Sequence, residues 1–165
     1  MAVYRTMGNN IKTIIDFIST DDELKLLLFH NGRDALDNNP DDITVKDMVS
    51  SHIYPYPNLY TPIDEAKSFV SVYLFNGKNA GSNNIYQRDA KIYVDILCHE
   101  SIWTMDDGLI RPLLLLDDLD TKIPLLDTEA IRGKVSFVSS DFIQYNTNFC
   151  GYRLIYSVTN SSRDC

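Results

Sequence analysis

The chain has 165 residues, 44% of them hydrophobic and 11% aromatic, and a formal net charge of −8 from 23 acids against 15 bases. That is one domain's length with enough apolar mass for a real core, which argues against intrinsic disorder. Sequence-independent nucleic-acid binding relies on Lys and Arg neutralising phosphates, so so acidic a chain is poorly suited to it.

Residues 7–30 read as helix, with Ile11, Ile14, Ile15 and Ile18 forming one stripe at spacings of three and four. Ser19 and Thr20 break it, and Thr20 or Asp21 is placed to cap a second helix whose first turn holds Asp22 and Glu23. Leu24, Leu27 and Leu28 give that helix an apolar face, and His30-Asn31-Gly32 ends it. Residues 31–64 carry Asn38-Asn39-Pro40, Asp41-Asp42 and Tyr54-Pro55-Tyr56-Pro57, and read as a long loop region with one short helix over 44–49. Residues 67–75 read as a strand with Val70, Val72 and Leu74 on one face and Phe69, Tyr73 and Phe75 on the other, both candidates for burial.

The Gly- and Asn-rich residues 76–88 are expected to form an oversized hairpin loop. Strand 89–98 then alternates, with Ala90, Ile92, Val94, Ile96 and Cys98 inward and Lys91, Tyr93 and Asp95 outward. Asp106 and Asp107 stand where helix caps belong, Pro112 suits a first turn, and Pro124 stops a helix with its body over 113–123. Leu113, Leu116 and Leu119 are expected to face the sheet, with Asp117, Asp118 and Lys122 more exposed. Two strands follow: 131–138, with Ile131, Gly133, Val135 and Phe137 on one face, and 149–159, with Cys150, Tyr152, Leu154, Tyr156 and Val158 on one face. Residues 160–165 read as a flexible C-terminus. The expected architecture is a single α+β domain over 1–165: a four-stranded, mainly antiparallel sheet with helices packed on one face, in the order α-α-β-β-α-β-β.

The first apolar stretch is broken by Asp16 and Ser19, so neither a signal peptide nor a membrane span is expected; the longest greasy run is the four leucines 113–116. Cys98, Cys150 and Cys165 are odd in number, widely spaced and without CxxC, and read as free thiols. Cys98-His99-Glu100 puts a thiol beside an imidazole, but neighbours on a strand point to opposite faces, so a buried cysteine and a solvated turn are the better reading. Pro40-Asp41 with Glu65-Ala66-Lys67 mimics the PD…ExK pattern of metal-dependent nucleases, in which two acids hold a metal ion. Asp41 lies in a Pro/Asn-rich loop, which favours a turn and an ordinary ion pair. The acid clusters lack the spacing of a calcium loop and read as caps and solvated helix faces. No catalytic, metal-binding or cofactor-binding residue is therefore assigned.

Ten tyrosines and seven phenylalanines are many for this length. Tyr combines an apolar body with a polar tip and is favoured at interfaces. Tyr54, Tyr56 and Tyr60 of the Pro-rich loop are candidate contacts, as are Asn76, Asn79, Asn83, Asn84, Ile85, Tyr86 and Arg88 of the hairpin loop. In the latter, Tyr86 is the expected anchor of a segment too polar to order itself.

The stretch Tyr93-Val94-Asp95-Ile96-Leu97-Cys98-His99-Glu100, followed by Trp103, Gly108 and Leu109-Ile110-Arg111-Pro112, resembles small tailed-phage neck proteins, in particular the tail terminator (tail completion, head–tail joining) group. The order of helices and hairpins over residues 5–160 is similar too, whereas the Tyr/Pro loop 50–63 departs from the pattern. The resemblance implies a virion protein made in the host cytoplasm. It would form a ring, usually a hexamer, that caps the tail tube and docks it to the head-side connector. It implies no catalysis, no cofactor and no membrane partner, with DNA passing through without specific binding. A head-closure or other tail-assembly protein is the alternative, and a small metal-dependent nuclease a remote one.

Overall fold

The computed structural model describes residues 3–58, 65–79, 87–126 and 134–161. Helix α1, Val3–Thr20, buries Ile14, Ile15 and Ile18. It ends where the Ser19 and Thr20 hydroxyls both donate to the Asp16 carbonyl at 2.9 Å, competing with the helical ladder. Asp21 then caps α2, Asp22–Phe29, accepting the Leu24 N–H at 3.1 Å.

The region 31–64 holds more structure than a loop with one helix. Helix α3, Val45–Met48, has a capping box in which Thr44 and Asp47 each accept from the other's backbone N–H. Ile53–Tyr54 forms a short strand, β1, parallel to β2, Ser68–Asn79, with Ile53 opposite Val70 and Tyr54 opposite Ser71. The sheet is therefore five-stranded and mixed, in the order β1-β2-β3-β5-β4, not four-stranded. Two residues carry no readable alternation, and Pro55 hides their strand character.

Strand β3 spans Gln87–His99 and pairs antiparallel with β2, with one irregularity between Leu74 and Asn76. The strands reach into the expected loop 76–88 from both ends: Asn76 lies opposite Lys91, and Asn79 opposite Arg88. The rest of that loop, with Asn83, Asn84, Ile85 and Tyr86, lies outside the described residues. Strand β4, Lys134–Gln144, runs well past the expected 131–138, while Ile131 and Gly133 fall outside the described residues. Strand β5, Phe149–Ser161, takes in Asn160 and Ser161, which the sequence places in a flexible tail; residues 162–165 are outside the described set.

The helices cover one face of the sheet. Ala90, Ile92, Val94, Ile96 and Cys98 of β3 are buried as the alternation requires, and Leu154, Tyr156 and Val158 of β5 join them. Helix α4, Arg111–Lys122, carries Pro112 in its first turn as expected, but it presents a different stripe. Arg111, Leu115, Leu119 and Ile123, spaced by four, are all fully buried, whereas Leu113 is 40% exposed and Leu116 half-buried. The cap assignment also changes. Ile110 is the N-cap, and Asp107 instead closes a turn by accepting the Leu109 N–H at 2.9 Å.

The register of α4 is set by contacts at its two ends. The Arg111 guanidinium donates to the carbonyls of Leu27 at 3.0 Å, in the last turn of α2, and of His30 at 2.5 Å and Gly32 just past it. At the other end, Lys122 Nζ reaches Asp21 at 2.9 Å and Asp118 at 3.1 Å. Between them the Tyr156 hydroxyl donates to the Leu119 carbonyl at 3.3 Å. A different constraint sits at Gly151, where a Cβ would meet the Ile96 carbonyl oxygen at 1.9 Å.

Leu115→Ala is expected to cost about 2–5 kcal/mol, as large-to-small changes in a packed core do. Leu113→Ala should stay within about 1 kcal/mol. Equal losses in denaturant titrations of the two variants would contradict this helix register.

Candidate assembly surface

The opposite face of the sheet has no helical layer among the described residues, and its chemistry differs accordingly. Asp95 of β3 points to this face, as the alternation requires, yet it is only 1% exposed, not solvated as the sequence suggests. Arg153 lies directly across from it on β5. The guanidinium grips the carboxylate twice, Nε to Oδ1 at 2.6 Å and Nη2 to Oδ2 at 2.8 Å. The Tyr73 hydroxyl of β2 donates to Oδ2 at 2.8 Å and receives Arg153 Nη2 at 3.1 Å. Hydrogen bonding to Asp95 pushes the Arg153 pKa up, while burial and the Asp95 charge push that of Tyr73 up. Arg153 also lies 4.9 Å above the Tyr93 ring, and Phe75 stacks on that ring at 4.4 Å and 9°. The acid is thus covered by side chains of its own sheet.

Phe75, outermost in this stack, is 61% exposed, so the strand is not covered on both faces. Farther along the same face, Tyr54, Phe69, Leu97 and Phe149 form a second apolar cluster, joined by Ile143 and Tyr145. A shallow depression of about 250 Å³ lies between the two groups, lined by Leu97, Ile143, Gln144, Tyr145 and Arg153. It falls below the range of about 300–1,000 Å³ usual for small-molecule sites.

The tyrosines of the Pro-rich loop separate. Tyr54 is buried, donating to the Ser51 carbonyl at 2.8 Å and packing edge-on against Phe69, so it serves the chain's own core. Tyr56 is exposed and leans on Tyr54, and Tyr60 lies outside the described residues. Asn76, Asn79 and Arg88 take ladder positions at the far end of β2 and β3. Sequence reading missed Phe75, Asp95 and Arg153 as a unit. The available signal was an acid and an arginine on two strands of matching alternation, but it needed the register to become visible.

The remaining motifs are drawn into structural contacts. Lys67 donates to the Ser51 carbonyl at 3.1 Å and reaches the Tyr54 hydroxyl at 3.5 Å. Asp41 belongs to a 3-10 turn, Pro40–Asp42, capped by Asn39. Among the described residues, no group of three or more His, Cys, Asp or Glu is placed to hold a metal ion. Cys98 and His99 diverge: Cys98 enters the core, while the His99 ring meets Ser101 at 2.8 Å and packs edge-on against Phe149. Burial pushes the Cys98 thiol up to about 12, which removes its nucleophilicity near neutral pH.

A family model described as YomW matches residues 21–158, from the cap of α2 almost to the end of β5. The chain belongs to the YomW family. This family is phage-derived, of the Bacillus phage SPbeta-like prophage type, which suggests a phage protein. Comparison with curated proteins finds no match. The matched span includes the open sheet face and every residue of the Asp95, Arg153, Tyr73 and Phe75 group.

The Cys98 thiol gives a pH prediction. Its pKa is raised from 9.0 to about 12 on folding, so its contribution is fully present below the lower value and is lost as the pH climbs through the upper one. Melting temperatures measured across that alkaline window should fall less steeply in Cys98→Ala than in the parent. Parallel curves would remove Cys98 from the alkaline transition.

Proposed function

We propose that this chain is a structural virion protein of a tailed-phage neck. In this reading it is a tail terminator that forms a ring, a hexamer, capping the tail tube and joining it to the head-side connector, with no catalytic role. The observation that carries the reading is the sheet face that no helix covers among the described residues, with Phe75 and Tyr56 exposed and a shallow depression lined by Leu97, Tyr145 and Arg153, in a chain of a phage-derived family. Such a face is better matched to another protein surface than to a small substrate.

The distribution of charge supports passage of DNA without adhesion. Strands β2 to β5 contain Lys78, Arg88, Lys91, Lys134 and Arg153 against Asp89, Asp95 and Asp141, so the acidic excess resides on the helices and connections. An acidic surface of this kind repels a phosphate backbone.

Native mass spectrometry should show six copies of the 18.9 kDa chain, and electron microscopy should show rings. A protein that stays monomeric throughout the micromolar range would overturn the reading. Phe75→Ser should weaken binding of the ring to its neighbours at least tenfold while leaving the melting temperature within a few degrees. With Mg²⁺ or Mn²⁺ the purified protein should leave DNA intact. Cleavage that vanishes in Glu65→Gln would establish a hydrolase instead.

A further inference from the structure

Strand β4 is the last strand of the sheet, so one of its edges meets no other strand among the described residues. It is eleven residues long and shows Phe137, Val138 and Phe142 as exposed large hydrophobics. Its sequence contains no proline, one lysine at its start and one aspartate, so apart from a register shift between Phe137 and Ser139 it carries few of the devices that discourage pairing along an edge.

Which backbone groups face that edge follows from the hairpin. The Tyr145 N–H donates to the Phe149 carbonyl at 2.9 Å. Antiparallel pairing alternates along the strand, so Ile143 and Asp141 also turn their N–H and C=O toward β5. Ser140, Phe142 and Gln144 turn theirs away from it, and beyond the register shift between Phe137 and Ser139 the alternation is reset, so Phe137, opposite Tyr156, turns away as well.

The opposite side of the sheet offers a matching edge. The Val70 N–H donates to the His52 carbonyl at 2.8 Å, so Val72 and Leu74 direct their backbone groups to the same side. Among the described residues, β1 pairs with β2 through Val70 and Ser71 only. Register carries Ser140 across Leu154 and Val94 to Val72, and Phe137 across Tyr156 and Ile92 to Leu74. The outward-facing residues of the two edges therefore stand at the same level.

We infer that β4 of one copy pairs with the outer edge of β2 of a second copy, so that the sheet continues from subunit to subunit. The inference rests on the ring reading and names the contact that would build it. Strand direction favours this occupant: β2, β3, β5 and β4 alternate, so β4 runs opposite to β2. A neighbour in the same orientation therefore presents β2 antiparallel to β4, and the alternation passes unbroken into the next subunit. Because different edges meet, the contact is head-to-tail and closes as a ring when the rotation per subunit permits.

The test compares the parent chain, Ser140→Pro and Phe137→Glu by native mass spectrometry over a concentration series, with circular dichroism to confirm folding. Proline at 140 removes an outward N–H and leaves the ladder to β5 its donors. Each variant is expected to weaken association at least tenfold and to leave folded single subunits. If Ser140→Pro does not fold, Phe137→Glu decides, since it changes no backbone group. Rings that persist in the folded variants would overturn the edge contact while leaving the ring reading standing. A parent chain that stops at two copies would replace the head-to-tail contact with a symmetric one and overturn the inference. A monomeric parent would remove the ring itself.

Discussion

Arg111 is fully buried, and its guanidinium donates to three carbonyl oxygens in and just past the last turn of α2. A buried charge is costly unless hydrogen bonds replace its water, and the unpaired carbonyls of a helix terminus are good acceptors for it. Two needs are met by one contact: the Leu27 carbonyl of α2 and two carbonyls just past the helix find a donor, and the first turn of α4 is tied to the last turn of α2. Lys122 ties the other end of α4 to the cap of α2 through Asp21. Held at both ends, α4 lies antiparallel to α2 and sets Leu115 and Leu119 over β3 and β5. The core on that side depends on this alignment, because a helix turned by one residue would bring Leu116 and Asp120 toward the sheet instead.

The two faces of the sheet follow different rules. Under the helices the buried side chains of β2 and β3 are aliphatic apart from Ser68 and the Cys98 thiol. On the other face the sheet covers itself: Asp95 is enclosed by Arg153, Tyr73 and Tyr93, and Phe75 closes the stack from outside. A charged pair enclosed in this way is weak evidence for added stability, because desolvation offsets much of the attraction. It does fix the positions of the aromatic rings around it. A rigid aromatic surface loses little entropy when a partner docks, which is the physical ground for the assembly role we propose.

Alternation fixed the buried face of β3 from the sequence alone, because a strand has a period of two and Ala90 to Cys98 keep it without interruption. The break between α1 and α2 was legible for a comparable local reason: Asp21 sits next to the turn it caps. The stripe of α4 was not legible. Its first member is an arginine, which a hydrophobic pattern rejects, and four adjacent leucines fit more than one helix face. The strand β1 was hidden because two residues have no period, and only β2 alongside reveals them.

The candidate surface divides in the same way. Tyr54 and Tyr56 look alike in the sequence, two residues apart between prolines, yet one packs against Phe69 and the other meets solvent. What the sequence determined by itself was the α+β class, the inward face of the central strand and the acidic balance, since these depend on composition and on neighbours a few residues away. Only the tertiary structure decided which leucines of α4 are core, that Asp95 is enclosed, and that β4 is an edge. Those outcomes depend on Arg111 reaching α2, on Arg153 standing opposite Asp95, and on strand order, and each joins residues that are far apart along the chain.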